Sequence, residues 1–264
     1  MADGPRLHTN GVLLDVDGVL VASWKPIPGA AETLGWLREQ DIPFALVTNT
    51  TTLSRASLAA RLSEAGLPVT PDRIVTASAA TAGYIRRNHP GASCYLLATG
   101  DVAEDLDGID LVDDAAEVVV VAGAEDAFTY DAVNRAFRML RDGAALVAMH
   151  RNLWWLTSEG PKLDAGPYVT ALEEAAGVRA VVVGKPSPEI FRESLALLGA
   201  APEGTVMVGD DLEADVLPAQ GIGLIGVMVR TGKFQGETLS AARGRPDHII
   251  DSVADLPALV ERLG

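Results

Sequence analysis

The chain reads as a doubly wound α/β protein, a parallel sheet covered by helices on both faces, with a second α/β domain inserted into it. Three observations predict this. Short β-branched runs alternate with amphipathic helical segments, the pattern of successive βαβ units. Two runs, 118–121 and 181–183, consist of valine alone, as expected of strands buried on both faces. Polar motifs follow several of the expected strands, and one gap between them is far longer than a crossover needs.

A first strand is expected over 12–16. Pro28 and Gly29 then open an amphipathic helix reaching residue 40. A second strand covers 44–47, and Ser54 stands where the N-cap of the next helix belongs, with Gly66 ending that helix. Further strands are expected over 95–97, 118–121, 145–148, 180–183, 206–208 and 223–229. Helices are expected over 130–141, 167–176, 188–198 and 212–219. The charge-rich stretch 101–114 reads as a solvated loop. No repeat, low-complexity segment or Pro/Ser-rich linker divides the chain, so a second domain is an insertion and not a tandem unit.

Composition removes several classes. With 48% hydrophobic and 22% charged residues the chain buries a core and is not disordered. A formal net charge of −15 repels nucleic acid and anionic membranes, so neither is an expected partner. An anionic substrate is still compatible, because a metal ion and a few lysines invert the local field. The single cysteine, Cys94, forms no intrachain disulfide. No apolar core of a signal peptide stands in 1–10, and no run approaches the roughly 18 apolar residues of a membrane helix, so a soluble cytoplasmic protein is expected.

Four motifs follow expected strands. In Leu14-Asp15-Val16-Asp17-Gly18 two carboxylates separated by one residue leave the first strand, at the sheet edge where α/β proteins bind ligands. Asp15 is placed to act as a nucleophile and Asp17 as a general acid and base. An Asp-Gly turn explains the same residues. Thr48-Asn49-Thr50-Thr51-Thr52 offers hydroxyls and backbone N–H groups that cradle phosphate, and equally offers helix caps. Lys185, in Gly184-Lys185-Pro186, can neutralise phosphoryl oxygens or simply be solvated. Gly209-Asp210-Asp211, followed by Glu213 and Asp215, supplies carboxylates suited to Mg²⁺. Acidic residues at a helix N-terminus give the same pattern, and Asp210, on the strand side, is the better ligand candidate. One parallel sheet would bring all four motifs to one edge.

In this order the motifs resemble the haloacid dehalogenase-like hydrolase superfamily, with DxDG, Thr, Lys and an acidic Gly-Asp motif spread from residue 12 to residue 233. The resemblance implies a Rossmann-like core and a magnesium-dependent phosphatase forming an aspartyl-phosphate on Asp15. It further implies that Asp17 is the acid/base, that Asp15, Asp17 (through its carbonyl) and Asp210 bind Mg²⁺, and that Asp211 and Asp215 stand behind these ligands. Thr48, Asn49, Thr50 and Lys185 would hold the phosphoryl group of a small phosphorylated substrate.

Between the nucleophile and Thr48 only residues 16–47 intervene, which one helix and one strand fill, whereas 49–184 separate Thr48 from Lys185. The expected division is therefore a catalytic core over 1–80 and 181–264 and an inserted domain over 81–180. An α/β insertion at this point is similar to the second cap class of the superfamily, shared with the nitrophenylphosphatase-like enzymes. Asn134-Arg135-Ala136-Phe137, Gly166-Pro167-Tyr168-Val169-Thr170 and Thr231-Gly232-Lys233 resemble the branch containing the phospholysine phosphohistidine inorganic pyrophosphate phosphatases. Caps of this class often pair, so a homodimer through the cap is implied.

In Met149-His150-Arg151-Asn152-Leu153-Trp154-Trp155, the two tryptophans read as a core residue plus a candidate aromatic contact. His150 and Arg151 could meet a substrate anion or form a surface pair. Gly221-Ile222-Gly223-Leu224-Ile225-Gly226 has dinucleotide-site spacing but follows a helix and precedes a strand, the reverse of such a site. Cys94 reads as a small core residue, His8 and His89 show no ligand spacing, and His248 lies in a late strand-like segment. The rival from another class is a non-catalytic binding or regulatory module on a phosphatase scaffold. It would be expected to lose the nucleophile, the acid/base or a metal ligand, and all are present.

Overall fold

The computed structural model describes residues 9–157, 160–234 and 244–263. It divides into two compact units. The first comprises 1–48, 58–75 and 191–264, the second 49–57 and 76–190. The divisions differ from the expected 80/81 and 180/181, and residue 81 falls inside a helix, Ala77–Asn88.

The first unit is built on a six-stranded sheet in the order His248–Ile250, Ile225–Val229, Thr205–Gly209, Gly11–Asp15, Phe44–Thr48, Ile74–Thr76. Each neighbouring pair among the first five strands is parallel. Gly11–Asp15, Phe44–Thr48 and Thr205–Gly209 are buried along their whole length, which is why their sequences are apolar without alternation. Alternate residues of Ile225–Val229 feed different clusters. Val227 and Val229 join Leu14, Leu34 and Phe44 in the main core, while Met228 packs with Leu212 and Val216. Helical side chains thus cover the sheet on both faces, as expected. Helix Ala30–Glu39 turns Ala30, Thr33, Leu34 and Leu37 inward, an i, i+3, i+4, i+7 stripe.

The second unit has its own five-stranded sheet in the order Val181–Val182, Ala145–Ala148, Val118–Val121, Ser93–Leu97, Asp110–Leu111, parallel throughout. Helices Tyr130–Arg141 and Ala165–Ala176 contribute Ala136, Leu140, Val169 and Leu172 to its core. An antiparallel hairpin, Trp154–Thr157 with Gly160–Leu163, is separate from that sheet.

Four expectations are corrected. Lys185 follows Val181–Val182, which pairs with Ala145–Ala148 in the second sheet, so three of the four motifs and not all four leave the six-stranded sheet. That strand is an edge strand, and Val181 is 39% exposed, because pairing on one side only leaves a flank open. The stretch 101–114 is ordered: a 3₁₀ turn, Val102–Leu106, buries Val102, Asp105 and Leu106, and Asp110–Leu111 is a strand. Trp154 and Trp155 are 60% and 44% exposed on the hairpin, so neither is a core residue.

Strand Ile74–Thr76, helix Ala77–Asn88, the hairpin and the last helix, Leu256–Leu263, carry no expectation from sequence. The glycine-rich stretch 221–226 lies between helix Leu217–Gln220 and strand Ile225–Val229, as its order requires. Cys94 is buried, and burial foremost, with Asp110 and Glu117 nearby, pushes its thiol up to about 11. His89 ends a helix, His248 begins a strand, and His8 lies outside the described residues. Among the described residues no helix is long and apolar enough to cross a membrane.

Candidate active site

In the first unit, Asp15 is the last residue of its strand and is buried. The chain then turns sharply. The N–H groups of Leu20 and Val21 both donate to the Val16 carbonyl, at 2.9 and 3.0 Å, and Gly18 N–H donates to the Val21 carbonyl at 2.7 Å. Gly18 takes a φ of 82°, in the left-handed region that glycine enters without strain. The Asp-Gly turn and the strand-end carboxylate therefore coexist. Asp17 stands on this turn, exposed to solvent.

Thr205–Gly209 is the neighbouring strand, and Asp210 follows it, 2% exposed. Asp15, Asp210 and Asp215 each bring a carboxylate oxygen within 4.8 Å of the others, all three buried. Asp210 Oδ2 accepts the Lys233 backbone N–H at 2.8 Å. Asp215 Oδ2 accepts the N–H of Asp211 at 3.2 Å, while Asp211 Oδ1 accepts those of Glu213 and Ala214 at 3.2 and 3.0 Å. Asp211 is thus the N-cap of the turn Leu212–Val216, and Asp215, expected behind the ligands, reaches the same carboxylate cluster as Asp15 and Asp210.

Glycines make this approach feasible. A Cβ built on Gly18 or on Gly232 would overlap Asp210 Oδ2, and one on Gly209 would overlap Asp215. Thr231 Oγ1 donates to the Gly18 carbonyl at 2.5 Å, joining the two glycine turns beside Asp210. Lys233 Nζ is 3.4 Å from Asp211 Oδ2. Burial draws its pKa down, but Asp211 and Asp210 outweigh burial and hold it above the ordinary lysine value. Sequence reasoning noted 231–233 only as a family likeness. The glycine-lysine pair closely following an apolar strand is the signal that could have assigned it here.

Three buried carboxylates this close repel one another and call for a cation. The donors are all oxygen, the set that suits a hard divalent ion such as Mg²⁺, so the residues fit the expected metal. Thr48, 3% exposed, ends the strand adjoining that of Asp15.

In the second unit, Asn49 and Lys185 are locked together by their backbone and amide groups. Lys185 N–H donates to Asn49 Oδ1 at 2.7 Å, and Asn49 Nδ2 donates to the Lys185 carbonyl at 2.8 Å. Thr50 lies beside Asn49, partly exposed. A Cβ on Gly184 would overlap the Met149 carbonyl, so a side chain there is excluded. The hydroxyl run 48–52 does not supply the helix cap. Ser54 does, with Ser57 N–H donating to its Oγ at 3.3 Å, and Asp101 Oδ1 accepts the Ser54 N–H at 2.7 Å. Arg151 makes a bidentate pair with buried Glu173, at 3.1 and 2.8 Å. The surface-pair reading therefore holds for Arg151, whereas His150 is buried, 2% exposed.

Residues 12–112 match the haloacid dehalogenase-like hydrolase family and residues 182–256 match a HAD-hydrolase-like family. Haloacid dehalogenase-like hydrolase domain-containing protein 2 of Mus musculus is 38% identical over 87% of each chain. The phospholysine phosphohistidine inorganic pyrophosphate phosphatase of Homo sapiens is 35% identical over 96% of this chain and 94% of its own. Among solved structures, the p-nitrophenyl phosphatase of Archaeoglobus fulgidus superposes with a TM-score of 0.86 at 32% identity, covering 96% of this chain and 99% of that one. NagD from E. coli gives 0.85 at 30% identity over 93% and 97%. With strand-end carboxylates, family models and relatives in agreement, this chain belongs to the haloacid dehalogenase-like hydrolase family.

Proposed function

We propose that the protein is a magnesium-dependent phosphatase that hydrolyses a small phosphorylated metabolite through an aspartyl-phosphate on Asp15. The observation that carries this reading is the buried cluster of three carboxylates, Asp15 and Asp210 at the carboxyl ends of adjacent parallel strands and Asp215 in the turn that follows. Phosphatases among the relatives support it.

In this reading Asp15 attacks phosphorus in line with the departing oxygen, forming one O–P bond as the ester O–P bond breaks. Asp17 gives its proton to the leaving alkoxide, then takes a proton from the water that hydrolyses the acyl phosphate. Its exposed place on the turn lets it exchange protons with solvent. Thr48, Asn49, Thr50 and Lys185 orient the phosphoryl group and offset its charge. Asp15, Asp210 and the Asp17 carbonyl would hold Mg²⁺, with Asp215 as a further carboxylate and Asp211 ordering the turn behind them. Bound Mg²⁺ supplies charge neutralisation and alignment of the phosphoryl group. The insertion, expected over 81–180, is proposed to act as the cap that selects the leaving group, and the protein to work in the cytoplasm.

The test is hydrolysis of p-nitrophenyl phosphate with Mg²⁺, with EDTA, and with Asp15→Asn. Turnover that needs metal and falls by at least ~10³-fold in the variant is expected. Full activity of Asp15→Asn would refute the nucleophile assignment. Pairing through the cap predicts a concentration-dependent dimer in analytical ultracentrifugation, and a monomer at high micromolar concentration would refute it.

A further inference from the structure

Buried beside the Asn49–Lys185 clamp is a titratable side chain that the mechanism above does not use. His150 follows strand Ala145–Ala148 and is 2% exposed. Its Nδ1 accepts the Asn152 N–H at 3.2 Å, so Nδ1 carries no proton and the hydrogen of the neutral ring is on Nε2. Nε2 lies 3.2 Å from Thr51 Oγ1 and 3.5 Å from Asp164 Oδ1. Thr51 Oγ1 also accepts the Gly123 N–H at 3.3 Å, and Asp164 Oδ1 accepts the Ala165 N–H at 2.8 Å.

Thr51 is therefore held by two donors from separate segments, in a place it cannot leave without stranding buried polar groups. Asn49, two residues earlier, is fixed by two hydrogen bonds to Lys185. The receiving segments are themselves bonded, Gly184 N–H donating to the Met149 carbonyl at 2.9 Å. The turn 49–51 is thus tied at two rungs to one rigid support, and His150 is the second rung. Among the described residues, Asp164 is the charged side chain within ion-pair reach of the ring, and neighbouring Arg151 is engaged by Glu173.

We propose that His150 is a positioning residue for the phosphate-binding turn, acting through Thr51 as a neutral Nε2–H donor and not by touching substrate. This rests on the assignment of Asn49 and Thr50 to the phosphoryl group. Loss of the rung lets the turn drift, and an error of about 1 Å in placing a reacting group costs on the order of 100-fold.

Five proteins test this: wild type, His150→Phe, which keeps the ring volume, His150→Gln, which returns an N–H near Nε2, Thr51→Val, and the His150→Phe/Thr51→Val double variant. With p-nitrophenyl phosphate, His150→Phe and Thr51→Val are each expected to lower kcat/KM by ~10- to 100-fold, mostly in kcat. His150→Gln should recover most of the loss, and the Phe/Val double variant should be no worse than either single one. Amide hydrogen exchange over 49–52 should quicken in both single variants. Folded His150→Phe with kcat/KM within about twofold of wild type would overturn the inference, as would losses that simply add. Should His150→Phe fail to fold, the near-isosteric Thr51→Val carries the same comparison. An inactive wild type would retire the phosphatase reading, and hydrogen exchange would then decide alone, with unchanged rates over 49–52 overturning the tether.

Discussion

At Gly18 and Gly232 the backbone runs at φ 82° and 66°, and a side chain at either position would displace Asp210 Oδ2. Gly18→Ala should therefore leave a folded protein whose Mg²⁺ affinity, by isothermal titration calorimetry, is weaker by ~10- to 100-fold. The second prediction concerns His150. Burial holds its pKa below the ordinary 6.5, against the opposing pull of Asp164. As pH falls below 6.5 the unfolded chain takes up a proton before the folded one, so His150's contribution, complete above 6.5, is lost as pH descends towards the folded value. Urea denaturation at pH 7 and pH 5 should show a smaller acid loss of stability in His150→Gln than in wild type. Asp15, Asp17 and Asp210 were legible as carboxylates beside apolar runs. His150 was named only beside Arg151, and its bond to Thr51 was not legible, because the two are 99 positions apart and nothing local marks the pair.

Among the elements, the short turn Val102–Leu106 does more than its composition suggests. Asp105 accepts the Arg55 N–H at 3.0 Å, Arg55 Nε at 3.1 Å, Thr76 Oγ1 at 2.7 Å and Ser78 Oγ at 2.6 Å. One buried carboxylate thereby serves the first turns of helices Arg55–Glu64 and Ala77–Asn88. Asp105→Ala should cost about 3 kcal/mol in a urea titration, since the donors are left buried without their acceptor. The reading of 101–114 as solvated holds for most of its residues and failed at Val102, Asp105 and Leu106 for a physical reason. Acidic residues mark loops by composition, yet they are also the acceptors that helix N-termini require, and only folding shows which role applies. Most of the longer elements were legible because apolar period and caps agree, as at Tyr130–Arg141 and Val118–Val121. The three-residue strand Ile74–Thr76 is too brief to show a period.

For the molecule as a whole, a formal charge of −15 on 264 residues means self-repulsion that salt relieves. The melting temperature should rise by a few degrees between ~10 mM and ~150 mM NaCl, and an unchanged or falling value would contradict a repulsive surface. Spacing along the chain revealed that extra structure lies between Thr48 and Lys185. It misassigned the strand before Lys185, because linear order does not tell which of two parallel sheets a valine run joins. The exposed hairpin has a practical consequence. Of the four tryptophans, Trp24 and Trp36 are partly buried against the first unit's core, while Trp154 and Trp155 stand in solvent on the second. Native emission is thus a mixture of a shielded and an acrylamide-quenchable population, one pair from each unit. Substituting Trp154 and Trp155 by Phe would leave a fluorophore that reports on the first unit alone, allowing each unit's unfolding to be followed without an added dye.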